Sequence, residues 1–141
     1  MVVTGGEVLD AAGRLEPADV LVAGGRIERV GGEMPTDCAT VDASGTIVAP
    51  GLINAHYHSN ENFNPGRYEN LPLDLWFVHS HQVTRVAPMS PEAIHTRTLL
   101  GAVQMLRSGT TAVVDFLFEA PEITLATLEP VVRAYRDVGM R

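Results

Sequence analysis

The order of elements in the second half of the chain limits its fold more than any other feature. "SPEAIHTRTLLGAVQMLRSG", residues 90–109, predicts a long helix. Ser90 suits an N-cap, Pro91 the first helical position and Glu92 the positive end of the helix dipole. Ile94, Leu99, Val103 and Leu106, with Leu100 beside them, predict its apolar stripe, and Gly109 a left-handed stop. "TTAVVDF", residues 110–116, is β-branched and apolar, and reads as a strand buried on both faces, as in a parallel sheet. "TLEPVVRAYRDVG" reads as a second helix. With Thr127 as its cap, Pro130 falls in the first turn. Val131, Tyr135 and Val138 share a face, and Gly139 ends the helix. Strand, loop, helices, strand, helix is an alternating β/α series, the pattern of parallel α/β architectures. It breaks off where a further strand is expected.

The first 48 residues read differently, as short β structure. "GEVLD" is one strand. "DVLVA" meets "RIERV" across Gly24-Gly25, and paired glycines supply the positive φ of a tight hairpin. Val20, Val22, Ile27 and Val30 predict a sheet with one buried and one wet face. "EMPTDCATV" is a turn-rich connection. A turn at Ala43-Ser44-Gly45 then leads into a strand, a break at Pro50-Gly51 and a second strand ending in "HYH".

His56 and His58 lie two apart on that strand, so they point to one side with Tyr57 on the other. Two imidazoles at a strand end can share a metal such as Zn or Fe, and a catalytic metal usually takes a third protein ligand and an open position. Without further context, a bare HxH more often marks two ordinary strand histidines than a metal pair. The pair "HSH" at 79–81 lies in a predicted short helix, "LPLDLWFVHSHQV". There, residues two apart diverge by about 200°, so a shared metal is not expected.

Composition narrows the partners. A net charge of −7 and ten scattered basic residues argue against nucleic acid and anionic membrane surfaces. A small-molecule substrate is the better expectation. Cys38 is the single cysteine, which allows no internal disulfide and fits a reducing cytoplasm. No secretory leader or membrane-spanning run is legible.

In this context "SGTIVAPGLINAHYHS" resembles the first barrel strand of the amidohydrolase superfamily, with its PG(L/F)(I/V)(N/D)xHxH signature. "VLVAGGRIERVGG" resembles that superfamily's small N-terminal β-sandwich. "NLPLDLWF" and "LLGAVQMLRSGTTAVVDF" are similar to the branch of cytosine deaminase-like and atrazine/triazine hydrolase-like enzymes. The resemblance implies an α/β fold: part of a β-sandwich over 1–48, then over 49–141 the start of a distorted (β/α)8 TIM-like barrel with about two of its eight strands. It implies one divalent metal, Zn or Fe, with His56 and His58 as two of its ligands. The activity implied is hydrolysis of a C–N bond by an activated water, deaminating a nitrogen heterocycle. The remaining ligands and the general acid/base are expected on later strands, outside this chain, so the chain alone is expected to be inactive. A homo-oligomer is left open for the complete enzyme.

Three positions depart from the family pattern: Ser59, where Leu is common; Gln104, where an acidic residue is common; and Pro65, in a loop that is often basic. They leave the subfamily open. A cyclic amidase of the dihydroorotase or hydantoinase type and a non-catalytic scaffold relative are the alternatives, though "SGTTAVVDF" and "LPLDLWF" favour the deaminase branch. Asn60, Glu61, Asn62 and Arg67 follow the first strand, in a loop of the kind that forms a pocket mouth, and are candidate substrate contacts. Asp115 ends the second strand and is a candidate for supporting the site or for simple structural bonding. His95, Trp76, Phe77 and Cys38 are expected to be structural or inert.

Overall fold

The computed structural model describes residues 1–80 and 87–141. They divide into two compact units, Met1–Pro50 and Gly51–Arg141, each described by itself.

The first unit holds seven short strands: β1 (Val2–Thr4), β2 (Glu7–Leu9), β3 (Leu15–Pro17), β4 (Val20–Ala23), β5 (Arg26–Val30), β6 (Thr40–Asp42) and β7 (Ile47–Val48). They form two sheets, ordered β5-β4-β1-β6 and β3-β2-β7. The β4–β5 hairpin turns at Gly24-Gly25, with Ala23 opposite Arg26 and both glycines at positive φ. Glycine adopts that conformation without a Cβ penalty. The burial differs from the one-faced pattern expected. Val20 and its neighbour Leu21 are both buried, whereas Ile27 and Val30 are exposed. A register irregularity between Leu21 and Val22 breaks the two-residue alternation there. β5 is also an edge strand with a single neighbour.

The second unit runs β8 (Leu52–Tyr57), a 3₁₀ turn (Ser59–Glu61), α1 (Leu73–Ser80), α2 (Pro91–Arg107), β9 (Thr110–Asp115) and α3 (Leu125–Asp137). β8 and β9 pair in parallel, as expected for strands joined through helices. Arg141 lies along the other edge of β9: its N–H donates to the Thr111 carbonyl at 3.0 Å, and its carbonyl accepts from Val113 N–H at 2.7 Å. That is the bond spacing of a third parallel strand. β9 is not buried on both faces. Thr110 is buried, but Val114 is exposed.

Helix α2 starts as its sequence predicts. Ser90 accepts from Ala93 N–H, Pro91 is the first helical residue, and Gly109 follows the helix at φ +88°. Its buried face matches the predicted one only in part, at Ile94 and at Leu106, which packs against the core. Ile94, Arg97, Thr98, Gly101, Ala102 and Met105 are buried, while Leu100 and Val103 are exposed. The buried residues still follow helical spacing. Four of the six, Arg97, Thr98, Gly101 and Ala102, are small or polar, because the helix approaches the β8 region closely at Gly101 and buries an ion pair through Arg97.

Helix α3 is capped by Thr124, not Thr127. Thr127 is the third helical residue and completes a reciprocal capping box with Thr124. Pro130 therefore sits in the second turn, buried beside Val131 and Ala134. Ala102 and Met105 of α2 and Met140 form the core cluster, against which Tyr57, Val113 and Tyr135 pack. His95 of α2 bonds Asp137 of α3, Nε2 to Oδ2, at 2.8 Å.

Candidate metal centre

β8 brings its histidines together by an irregular route. Residue pairing with β9 shifts between Leu52 and Ile53, where β9 carries an extra residue, and shifts back between Asn54 and Tyr57, where β8 carries one. The second bulge cancels the first. It also re-aims the strand. Asn54 and Tyr57, three apart, both turn towards α2: Asn54 Nδ2 lies 3.7 Å from Met105 Sδ, and Tyr57 meets Asn62 beside Gly101. His56 and His58 are left to share the other side.

Their Nε2 atoms are 3.0 Å apart. His58 lies just past the strand end, at φ −129°, so it continues the extended direction for one residue. Its Nδ1 sits 2.9 Å from the carbonyl oxygen of Phe116. A carbonyl only accepts, so Nδ1 carries the hydrogen and Nε2 presents its lone pair towards His56. The Phe116 ring stacks on His56 at 5.9 Å between centroids and meets His58 edge-on at 5.8 Å. Phe116 N–H in turn donates to the Tyr57 carbonyl at 2.7 Å. One residue just past β9 thus bonds β8 through its amide, orients His58 through its carbonyl and covers His56 with its ring. Sequence reading missed it, because two of those three roles are backbone roles.

This donor set fits a divalent ion. Two imidazole nitrogens about 2.0–2.1 Å from a tetrahedral zinc lie roughly 3.3 Å apart, and the observed spacing needs little adjustment. The Phe116 carbonyl on Nδ1 is the partner that ligating histidines commonly have. Among the described residues, no third His, Cys, Asp or Glu joins the pair. His79 lies in the last turn of α1, and His81 lies outside the described residues.

Asp115 also serves the segment around the pair. Its Oδ1 accepts from Ser59 N–H at 3.0 Å and its Oδ2 from the Tyr135 hydroxyl at 2.8 Å. Burial, and then the Asp115 charge, push the Tyr135 phenol well above the ordinary tyrosine range, so it stays a donor. Burial also raises Tyr57, whose hydroxyl donates to Asn62 Oδ1 at 2.6 Å.

The four candidate substrate contacts do not form one cluster. Asn60 and Arg67 line a groove with Phe63, Tyr68, Arg97 and Glu119, whereas Glu61 and Asn62 line another with Trp76 and Gln104. Neither groove includes His56 or His58. Asn62 is committed to structure, since its Nδ2 also donates to the Arg97 carbonyl at 3.0 Å. Asn60 Oδ1 and Glu61 Oε1 are buried without a hydrogen-bond partner. Arg67 is exposed, its guanidinium 5.5 Å from the Tyr68 ring centre.

The "PG" ahead of β8 has a steric reason. A Cβ on Gly51 would fall 2.2 Å from Thr111 Oγ1, so only glycine lets the two strands begin side by side. No helix among the described residues is long and apolar enough to cross a membrane.

Comparison with known proteins shows the family to which the chain belongs. The chain is 39% identical, over 98% of its length, to the 5-methylthioadenosine/S-adenosylhomocysteine deaminase of Natronomonas pharaonis, covering 32% of that protein. It is 34% identical, over 99%, to the 5'-deoxyadenosine deaminase of Methanothermobacter thermautotrophicus, covering 33% of it. It thus spans about a third of the length of the curated relatives it matches. Among solved structures, the zinc complex of atrazine chlorohydrolase TrzN from Arthrobacter aurescens TC1 superposes with a TM-score of 0.81. The identity is 28%, over 99% of this chain and 34% of that one. Guanine deaminase of E. coli, at 18% identity and a TM-score of 0.73, shares the fold. The amidohydrolase family model matches residues 47–141, from β7 through the histidine pair to the chain's last residue, and the chain belongs to that family.

Proposed function

We propose that this chain supplies the first half of the metal site of a hydrolase that deaminates a nitrogen heterocycle. The observation that carries the reading is the His56–His58 pair, Nε2 to Nε2 at 3.0 Å, with the hydrogen of His58 fixed on Nδ1 by Phe116. His56 and His58 would hold one divalent ion, zinc or iron, through Nε2. Such an ion supplies Lewis acidity and makes water a usable nucleophile near neutral pH. The chain's own residues bind and orient: Phe116 keeps the proton on Nδ1 of His58, and its ring limits access to one face of His56. Of the loop after β8, Asn60, Glu61 and Arg67 remain the proposed contacts for a small-molecule substrate, although the two grooves they line do not include the pair, while Asn62 supports Tyr57.

Two further assignments belong to this proposal. Residues 1–48 are part of a β-sandwich domain. Residues 49–141 open a (β/α)8 barrel, a reading supported by the parallel β8–β9 pair and by Arg141 lying along the next edge. Catalytic residues of such barrels sit at the C-terminal strand ends, where the pair lies. A cytoplasmic setting fits the single cysteine.

Adenosine-type nucleosides are the substrate class this reading favours. The relatives of higher identity are named for 5-methylthioadenosine, S-adenosylhomocysteine and 5'-deoxyadenosine, which share the adenine amino group. The test uses the full-length gene product. His56→Ala and His58→Ala should each remove bound metal and the release of ammonia from these nucleosides. Retention of both metal and turnover would show that the pair is structural. Turnover of a chlorotriazine with none of the nucleosides would move the assignment to the triazine hydrolases.

A further inference from the structure

Asp115 sits opposite Tyr57 in the β8–β9 pairing, and its two oxygens are both engaged. Oδ1 takes the amide hydrogen of Ser59, the residue after His58, and Oδ2 takes the hydroxyl hydrogen of Tyr135. Ser59 is completely buried, so its N–H has no water to turn to. His58 is therefore held from two adjacent residues of one strand end. Phe116 fixes its ring through Nδ1, and Asp115 fixes the backbone just beyond it. With both oxygens committed, Asp115 is not arranged as a third ligand.

We infer that Asp115, oriented by Tyr135, is a positioning residue for His58: it locks the turn after the strand so that Nε2 of His58 stays beside Nε2 of His56. This rests on the metal-site reading of the pair. Tyr135 lies on α3, twenty residues further along the chain, so the docking of that helix sets the geometry of a pair on β8. The Tyr135 hydroxyl donates to Oδ2 and so orients the Asp115 carboxylate towards Ser59 N–H. Loss of the carboxylate leaves a buried amide unpaired, which frees the backbone on which the His58 ring stands. Supporting partners of metal ligands commonly contribute 10- to 100-fold in metal affinity.

The test compares wild type, Asp115→Ala, Asp115→Asn and Tyr135→Phe in the full-length protein. Zinc affinity is read by chelator competition, and the ligand field by the visible spectrum of the cobalt(II)-substituted protein. Asp115→Ala should weaken zinc roughly tenfold or more and change the cobalt spectrum. Asp115→Asn keeps an acceptor for Ser59 N–H and should restore both. Tyr135→Phe should lie between Asp115→Ala and wild type, with a smaller loss of affinity. Unchanged affinity and spectrum in Asp115→Ala, with only a lowered melting point, would overturn the inference. Should Asp115→Ala fail to fold, unchanged affinity and spectrum in Tyr135→Phe would overturn it equally. If His56→Ala leaves wild-type zinc binding intact, the metal-site reading itself falls, an outcome separate from these.

Discussion

Gly101 of α2 lies directly against the Tyr57 hydroxyl of β8: a Cβ built at Gly101 would fall 2.0 Å from that oxygen and 2.3 Å from Asn62 Nδ2. Both atoms are fixed in hydrogen bonds, Tyr57 to Asn62 and Asn62 to the Arg97 carbonyl. Alanine at position 101 gains about 1 kcal/mol of helix propensity but overpacks a seam at a cost of about 1–3 kcal/mol, and also breaks the Tyr57–Asn62 bond. Gly101→Ala should therefore lower the denaturant midpoint. An unchanged or higher midpoint would mean that both side chains move aside freely.

Arg97 and Glu119 form an ion pair through Nη2 and Oε1, with only 2% and 6% of each residue exposed. Arg97 Nε has no partner, so the desolvation of the guanidinium is incompletely offset. Removing one member leaves a buried charge alone, at a cost of about 3–5 kcal/mol. Arg97→Met and Glu119→Leu should each destabilise on that scale, and the double variant should be more stable than either single one. Equilibrium unfolding of the four proteins checks this; additive losses would refute it.

Tyr57 and Tyr135 both have phenols raised by burial. An unfolded tyrosine ionises near pH 10. Below that pH both states hold the proton, and stability from these groups is fully present. Above it the unfolded chain gives up protons that the folded chain keeps, so stability falls as pH rises. Ultraviolet titration of the native protein should show Tyr57 and Tyr135 failing to ionise with the ordinary midpoint, then appearing together on alkaline unfolding. Tyr57→Phe and Tyr135→Phe should each flatten the alkaline loss of stability.

Both long helices begin at a side-chain cap, Ser90 for α2 and Thr124 for α3. Ser90→Ala and Thr124→Ala should each cost about 1 kcal/mol, within the range of roughly 0.5–2 found for such caps. Thr127→Ala should cost less than Thr124→Ala, since Thr127 returns one bond to a cap that still holds its own. Thermal melts rank the three, and a larger loss at Thr127 would reverse the assignment of the cap.

The sequence made the helices, the hairpin and the histidine spacing legible because each is a local pattern: the cap at Ser90, paired glycines at 24–25, a single residue between His56 and His58. It misjudged what depends on neighbours. The stripe predicted through Leu99 and Val103 yields to Arg97, Thr98 and Gly101, because ion pairing and close approach outrank side-chain hydrophobicity on that face. Pro130 drew the cap of α3 to Thr127, although a buried proline in the second turn is tolerated there. At the site, the imidazoles were legible, whereas the Phe116 carbonyl and the compensating bulges were not. Backbone groups carry no residue-type signal, and a bulge shows only when two strands are laid together.

The extra residue in β8, between Asn54 and Tyr57, has a bearing on how the site can change. Because it cancels the opposite irregularity near Leu52, the histidine pair is tuned by a matched insertion on two strands rather than by the HxH spacing alone. Deleting one residue at Ala55 would keep the HxH spacing, though not the full signature, and should turn Tyr57's neighbours over relative to α2 and part His58 from the Phe116 carbonyl. A chain can thus keep its HxH pair and lose the pair's geometry, because the strand register as well as the spacing sets where the two imidazoles stand.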